Sequence, residues 1–242
     1  MEYFWETKGT IADGVGFSLF DSLHLSWIAV FLIAVVLNCL WYRKMGEQGR
    51  KRWRIVVAGL IVLDEMFKVV MLCLVGQYSK DYLPLHLCSI NIFMITFHAF
   101  KPTKLVSNFL YTVCIPGALA ALLFPNWTVL PLVNFMHIHS STVHILLALY
   151  PIVLAVAGDL NPEPKYILKT LGLLLLLAVP IYGINVLLDT NFMFLMDAET
   201  GNPLYWFEQL WGNHLLGFPV LIGAIVAVMY IPLVIFRKLR KK

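Results

Sequence analysis

Residues 166–188 read YILKTLGLLLLLAVPIYGINVLL and carry a single charge, Lys169. About 20 apolar residues let a helix cross roughly 30 Å of hydrocarbon. Leu173 to Leu177 in one helix point to every side of it, which leaves no polar face for water. The stretch predicts a membrane-spanning helix.

Outward from it the same texture recurs. Apolar runs predict spans at about 24–42, 54–76, 83–100, 105–124, 138–157 and 214–236, seven in all with 166–188. Lys101-Pro102-Thr103-Lys104 separates the third from the fourth, because Pro102 would break a continuous helix. Of the 242 residues, 60% are apolar and 13% charged, against about 45–50% and about 25% in soluble domains. Mean hydropathy is +0.79. The expected fold class is all-α: a polytopic membrane protein, one transmembrane bundle over 1–242, with no polar linker dividing it. Met1 to Phe20 include Glu2, Glu6, Lys8 and Asp13 and lack the marks of a cleavable signal. The first span is therefore expected to act as its own insertion signal.

Lysine and arginine set the orientation. Loop 43–54 holds Arg43, Lys44, Arg50, Lys51, Arg52 and Arg54. The 101–104 turn adds two lysines, and the tail adds Arg237, Lys238, Arg240, Lys241 and Lys242. Loops 77–82, 125–136 and 189–213 hold only Lys80, alongside Asp81, Asp189, Asp197, Glu199 and Glu208. The alternation predicts N-out/C-in. The net charge of +4 is read as topology, and no nucleic-acid partner is implied. Asn126-Trp127-Thr128 matches a glycosylation sequon on the expected outer side. Cys39, Cys73, Cys88 and Cys114 all lie in apolar stretches, so no disulfide framework is expected.

Polar groups are costly inside spans and mark cavities or sites. Placed by depth, they gather in the outer half. On the third span, LPLHLCSIN (83–91), Pro84 suits a first helical turn, Cys88 lies about 8 Å down and Asn91 shares its face. His86 points elsewhere. On the fifth, His137, Ser141 and His144 share a face, with His144 about 10 Å down. Tyr182, Asn185 and Asp189 line another, followed by Asn191. Asp64 and Glu65 can each pair with Lys68 within the second span, and His214 opens the seventh.

The chemistry this suggests is Cys88 as nucleophile and His144 as its base, with Asp189 or an Asn orienting the ring. The bland reading is a hydrogen bond between helices. A metal site fits poorly: the histidine spacings of two, five and seven miss the i, i+3 and i, i+4 pattern of ligands on one helix. A transporter or receptor is the non-enzyme rival, using Asp64, Glu65, Lys68 and Asp189 as an ion relay and Pro116, Pro151, Pro180 and Pro219 as hinges. No internal repeat is seen, and the prolines read more simply as tolerated kinks.

LPLHLCS (83–89), the His144 helix with Ala148 to Pro151 beyond it, and NFMFL (191–195) resemble the YwaF-like integral membrane proteins. Transmembrane protein 164, the animal relative, is a phospholipid acyltransferase dependent on a Cys and a His. By matching position the resemblance implies a nucleophile at Cys88 and an essential histidine at His144. His86, Asn91, Glu65, Lys68, His137, Ser141, Asn185, Asp189, Asn191 and His214 are supporting or substrate-binding candidates from the depth map.

The expected function is a cell-membrane acyltransferase with an extracytoplasmic-facing site, moving fatty acyl chains between phospholipids and lysophospholipids through an acyl–cysteine. No cofactor, metal or obligate protein partner is expected, there being no phosphate loop or dinucleotide fingerprint. The alternative is a non-catalytic seven-helix transporter or receptor.

Overall fold

A computed structural model describes residues 3–199 and 202–239. Among these the chain is all-helical, without strands. The long helices are α1 (Ser22–Lys44), α2 (Glu47–Leu74), α3 (Leu87–Phe100), α4 (Lys104–Phe109) running through a π-turn (Leu110–Cys114) into α5 (Ile115–Leu123), α6 (Phe135–Ala157), α7 (Ile167–Leu188), a short α8 (Pro203–Trp211), and α9 (Gly217–Leu239).

Their ends are set by local chemistry. Asp21 caps α1, its carboxylate accepting from the His24 amide at 2.8 Å and the Ser18 amide at 3.0 Å. The His24 amide first, then the Ser18 amide, hold this carboxyl below the usual aspartate range. Asn134 caps α6 by accepting from Met136 and His137. Thr103 caps α4 behind Pro102. Gly158 ends α6 with φ +83°, a left-handed conformation that glycine adopts without strain.

Among the described residues, six segments are long and apolar enough to cross a membrane. The α2 helix is excluded from that set by Asp64, Glu65 and Lys68, yet its 28 residues extend about 42 Å. The central helix is α6, which packs against α1, α2, α3 and α5. The outer faces of α1, α7 and α9 are lined with exposed Leu, Val, Ile and Phe, as lipid-facing helices are.

Two features hold the interior. Pro151 lacks the N–H that would bond the Leu147 carbonyl one turn back. The Cys114 thiol takes that place, donating to the Leu147 oxygen at 3.3 Å. The π-turn aims Tyr111 and Thr112 at α9. Tyr111 donates to the Met229 carbonyl at 2.7 Å, Thr112 meets the Tyr230 hydroxyl at 3.0 Å, and Tyr230 donates to Asn108 at 2.9 Å. A π-turn at a docking point is a common use of that irregularity.

The two ends differ in charge. At one end lie the amino-terminal segment from residue 3 and the segments 75–86, 124–134 and 189–199. Asn134 donates to the Tyr3 and Glu6 carbonyls there, and the Phe17 amide donates to Thr128. At the other, Arg50 and Arg54 bind Asp159, which also accepts from Tyr42, and Lys104 and Lys165 bind Glu163. Arg237 bonds Pro162 and Asn161 there, while the tail residues Arg240, Lys241 and Lys242 fall outside the described residues.

Three sequence expectations need correction. The basic loop 43–54 is mostly the first turns of α2, leaving Met45 and Gly46 as the connection. Residues 203–211, expected as loop, form α8. Asn202 caps it by accepting from Leu204, and Gly212 closes it. The third helix starts at Leu87, not 83, so Pro84 lies outside it.

Candidate active site

That late start shapes the site. The 14 residues of α3 rise about 21 Å, short of a full crossing. The segment before it is non-helical, and Leu83, Leu85 and Leu87 pack with Ile181 and Phe192 in a core cluster. Irregular backbone at membrane depth is tolerated where protein buries it or a cavity adjoins it. Cys88 is then the second residue of a helix whose N-terminus is sunk into the bundle. His86, the N-cap, makes no side-chain capping bond, and the first helical-type bond goes from Ile90 to the His86 carbonyl. The amides of Leu87, Cys88 and Ser89 are therefore outside the helical hydrogen-bond pattern, where they favour negative charge beside them.

His144 sits mid-way along α6. Its Nδ1 lies 2.6 Å from the Ser140 carbonyl oxygen. A carbonyl only accepts, so in the neutral ring Nδ1 carries the proton and Nε2 keeps its lone pair. Trp127 stacks on the imidazole, centroids 5.2 Å apart and planes 17° from parallel. The ring is thus fixed in tautomer by a backbone oxygen and in plane by an indole.

Helix α2 lies against both α3 and α6, which also touch each other. It brings a charged cluster: Lys68 Nζ is 2.5 Å from Glu65 Oε1, His139 Nε2 is 3.6 Å from Glu65 Oε2, and His139 Nδ1 is 3.1 Å from Asp64 Oδ2. Asp64 Oδ2 faces His139 Nδ1 of α6 without forming a hydrogen bond, where the sequence suggested Lys68 as its partner. Lys68 is buried on α2, the helix that packs against both α3 and α6. The Cys114 thiol bonds the carbonyl of Leu147, one turn beyond His144. Asn91 is buried one turn below Cys88, with its Oδ1 unpartnered.

The other candidates have different work. His86 Nδ1 accepts weakly from the Met193 amide at 3.4 Å, and its ring meets Phe192 edge-on. His137 donates to the Leu130 carbonyl and accepts from Trp27, tying α1 to loop 124–134. Ser141 is buried in α6, three residues before His144. Asn185 is fully engaged, accepting from Phe192 and Thr190 and donating back to the Phe192 carbonyl. Asn191 braces the same loop through Met196 and Asp197. His214 Nε2 meets the Phe194 carbonyl at 3.1 Å. Asp189 is fully exposed beside Lys80, which caps the end of α7, so the structure does not bring it to His144.

Asn185, Asn191 and His214 brace 189–195 beside His86, with Asp189, Met193 and Phe194 at φ of 52°, 59° and 56°. Left-handed backbone at non-glycine residues stores strain that only a well-braced segment sustains. Sequence reading missed Trp127, the Ser140 carbonyl and the Asp64–His139 contact. A tryptophan in a loop flanking the histidine helix was the available signal for the first.

Apolar helices in this number define a multi-pass membrane protein. The chain belongs to the TMEM164 family, whose sequence model matches residues 19–230. That bears out the relationship to transmembrane protein 164, while the YwaF label has no support in the match. Neither a curated protein nor a solved structure matches the chain.

Proposed function

We propose that this protein is a membrane transacylase that moves fatty acyl chains between phospholipid-type lipids through a thioester on Cys88. What supports the reading is Cys88 in the first turn of α3 and a His144 ring on the adjoining α6 whose Nδ1 faces the Ser140 carbonyl, which leaves Nε2 as the lone-pair nitrogen. His144 Nε2 takes the Sγ proton as sulfur attacks the ester carbonyl. The first-turn amides of α3 offer donors to the oxyanion. Collapse breaks the C–O bond, the departing alkoxide takes the proton from His144, and a lysolipid leaves. An incoming hydroxyl then reverses the sequence: His144 takes its proton, oxygen attacks the thioester, and the thiolate that departs regains the proton.

The accompanying topology is seven spans, with α2 as the one hidden by its paired charges, and N-out/C-in. Arginine and lysine crowd the end opposite Cys88, and cytoplasmic loops carry that excess. The site would then open on the extracytoplasmic side of the cell membrane, with phospholipid and lysophospholipid as partners.

A second reading, a non-catalytic carrier or receptor, draws on the Asp64–His139–Glu65–Lys68 cluster. Acyl exchange between phospholipid and labelled lysophospholipid in proteoliposomes separates the two. The transacylase reading expects exchange that Cys88→Ser abolishes without loss of folding. A carrier expects Cys88→Ser to be silent and Lys68 substitutions to be severe.

A further inference from the structure

We propose that α8 is an interfacial anchor, a short helix lying in the membrane–water boundary beside α9 with Trp206 and Leu210 set into the lipid surface. Asn202 and Gly212 cap its two ends, and its nine residues extend about 14 Å, far too little to cross. Its side chains fall into three sectors. Leu204 and Phe207, at i and i+3, are buried and hold it to the bundle. Phe207 packs on Gly217, the first residue of α9, where a Cβ would come within 2.6 Å of the ring. Tyr205, Glu208 and Gln209 share a polar side at i, i+3 and i+4. Trp206 and Leu210, one turn apart, form the third sector and remain 67% and 58% exposed.

The place of α8 relative to α9 identifies what covers that third sector. Arg237 is the first charged residue of α9, and the 20 residues before it, Gly217 to Phe236, carry none. They rise about 30 Å, the thickness of the hydrocarbon. Gly217 then stands at one hydrocarbon boundary, with α8 just outside it. Leu215, Leu216 and Val220, at 38%, 55% and 47% exposure, continue the uncovered apolar surface along the chain from α8 into α9.

A helix with a wide apolar sector, a polar side and a tryptophan suits the interface plane. The indole is apolar except for one N–H donor, and tryptophan is enriched at this level for that reason. A second copy of the chain fits the face less well. A stable protein interface takes about 800 Å² from each partner, whereas this sector is two side chains wide and runs on into a lipid-facing helix.

Anchoring α8 also sets the level of the neighbouring segment. His214 Nε2 meets the Phe194 carbonyl at 3.1 Å, tying the start of α9 to 189–195, and the Met193 amide reaches His86 Nδ1 at 3.4 Å. Headgroups held at α8 stand beside the non-helical stretch that leads into α3. This goes beyond the acyl-transfer reading and does not depend on it.

Fluorine NMR of the full-length protein labelled with fluorotryptophan, in proteoliposomes, tests the proposal. The Trp206 resonance is identified by its loss in Trp206→Phe, with Trp206→Tyr as the second assignment should that variant fold poorly. Three paramagnetic probes are compared: phosphatidylcholine with a nitroxide near the headgroup end of its acyl chain, the same lipid with the nitroxide at the chain terminus, and a water-soluble gadolinium chelate. The Trp206 signal is expected to be lost first to the headgroup-end nitroxide. An equal or greater loss to the soluble chelate would put the face in water and overturn the proposal. Stronger loss to the terminal nitroxide would bury it too deep for an interfacial helix, and a signal that resists all three probes would mean that protein covers it; either result also overturns the proposal.

Discussion

The Ser140 carbonyl oxygen lies 2.6 Å from His144 Nδ1, so the backbone of α6 selects the tautomer of its own histidine one turn later. In a catalytic triad a carboxylate usually does this. Here the oxygen belongs to the helix, and the ring plane is kept by Trp127.

The division of roles predicts unequal losses. His144→Gln should lower acyl exchange by about 10²–10⁴-fold, the range expected for a general base. Trp127→Leu leaves the base but frees its plane, so a smaller fall, about tenfold, is expected. Initial rates in proteoliposomes with matched expression check both.

Pro151 and Cys114 should prove coupled. Cys114→Ala leaves the Leu147 carbonyl buried without a partner, costing about 1–3 kcal/mol. Pro151→Ala restores the amide that bonds this carbonyl, so the double variant should recover much of the loss. Thermal unfolding in detergent of the two single variants and the double gives the coupling.

Gly16 should be intolerant of any side chain. A Cβ there would lie 2.0 Å from the Thr128 carbonyl oxygen, part of the backbone to which Phe17 is bonded. Gly16→Ala should lift the amino-terminal segment from loop 124–134, costing about 1–3 kcal/mol locally. Faster amide exchange at Phe17, with α3 and α6 unaffected, is the expected readout.

Glu163 gives a pH signature at the basic end. Lys104 first, and then Lys165, hold its carboxyl down to about 2. A depressed carboxylate contributes stability that is fully present above its ordinary value near 4.5 and is lost as pH falls towards 2. The melting-temperature gap between the protein and Glu163→Gln should be constant from pH 7 to about pH 5, narrow below it and close near pH 2.

Hydropathy and the lysine–arginine alternation made the helices legible, since both are carried by side-chain type alone. The start of α3 was not legible: LPLH is as apolar as a helix entry, and Pro84 fits a first turn as well as it fits extended backbone. The correction moves Cys88 from about 8 Å down a helix to the first turn of one. Residues such as His137, Asn185, Asn191 and His214 share the site's depth yet hold loops. Depth follows from counting along a helix, whereas direction depends on backbone partners such as the Leu130 and Phe194 carbonyls. Asn202, Pro203 and Gly212 are the start and stop signals that mark α8, but nine residues are too few for a hydropathy window.

The most direct test is intact-protein mass spectrometry after incubation of the purified protein with phospholipid. A hydroxylamine-sensitive mass increase of one fatty acyl group, absent in Cys88→Ser and accumulating when acceptor lysolipid is withheld, is the predicted result. An unmodified protein under conditions where exchange proceeds, or an adduct that persists in Cys88→Ser, would contradict it.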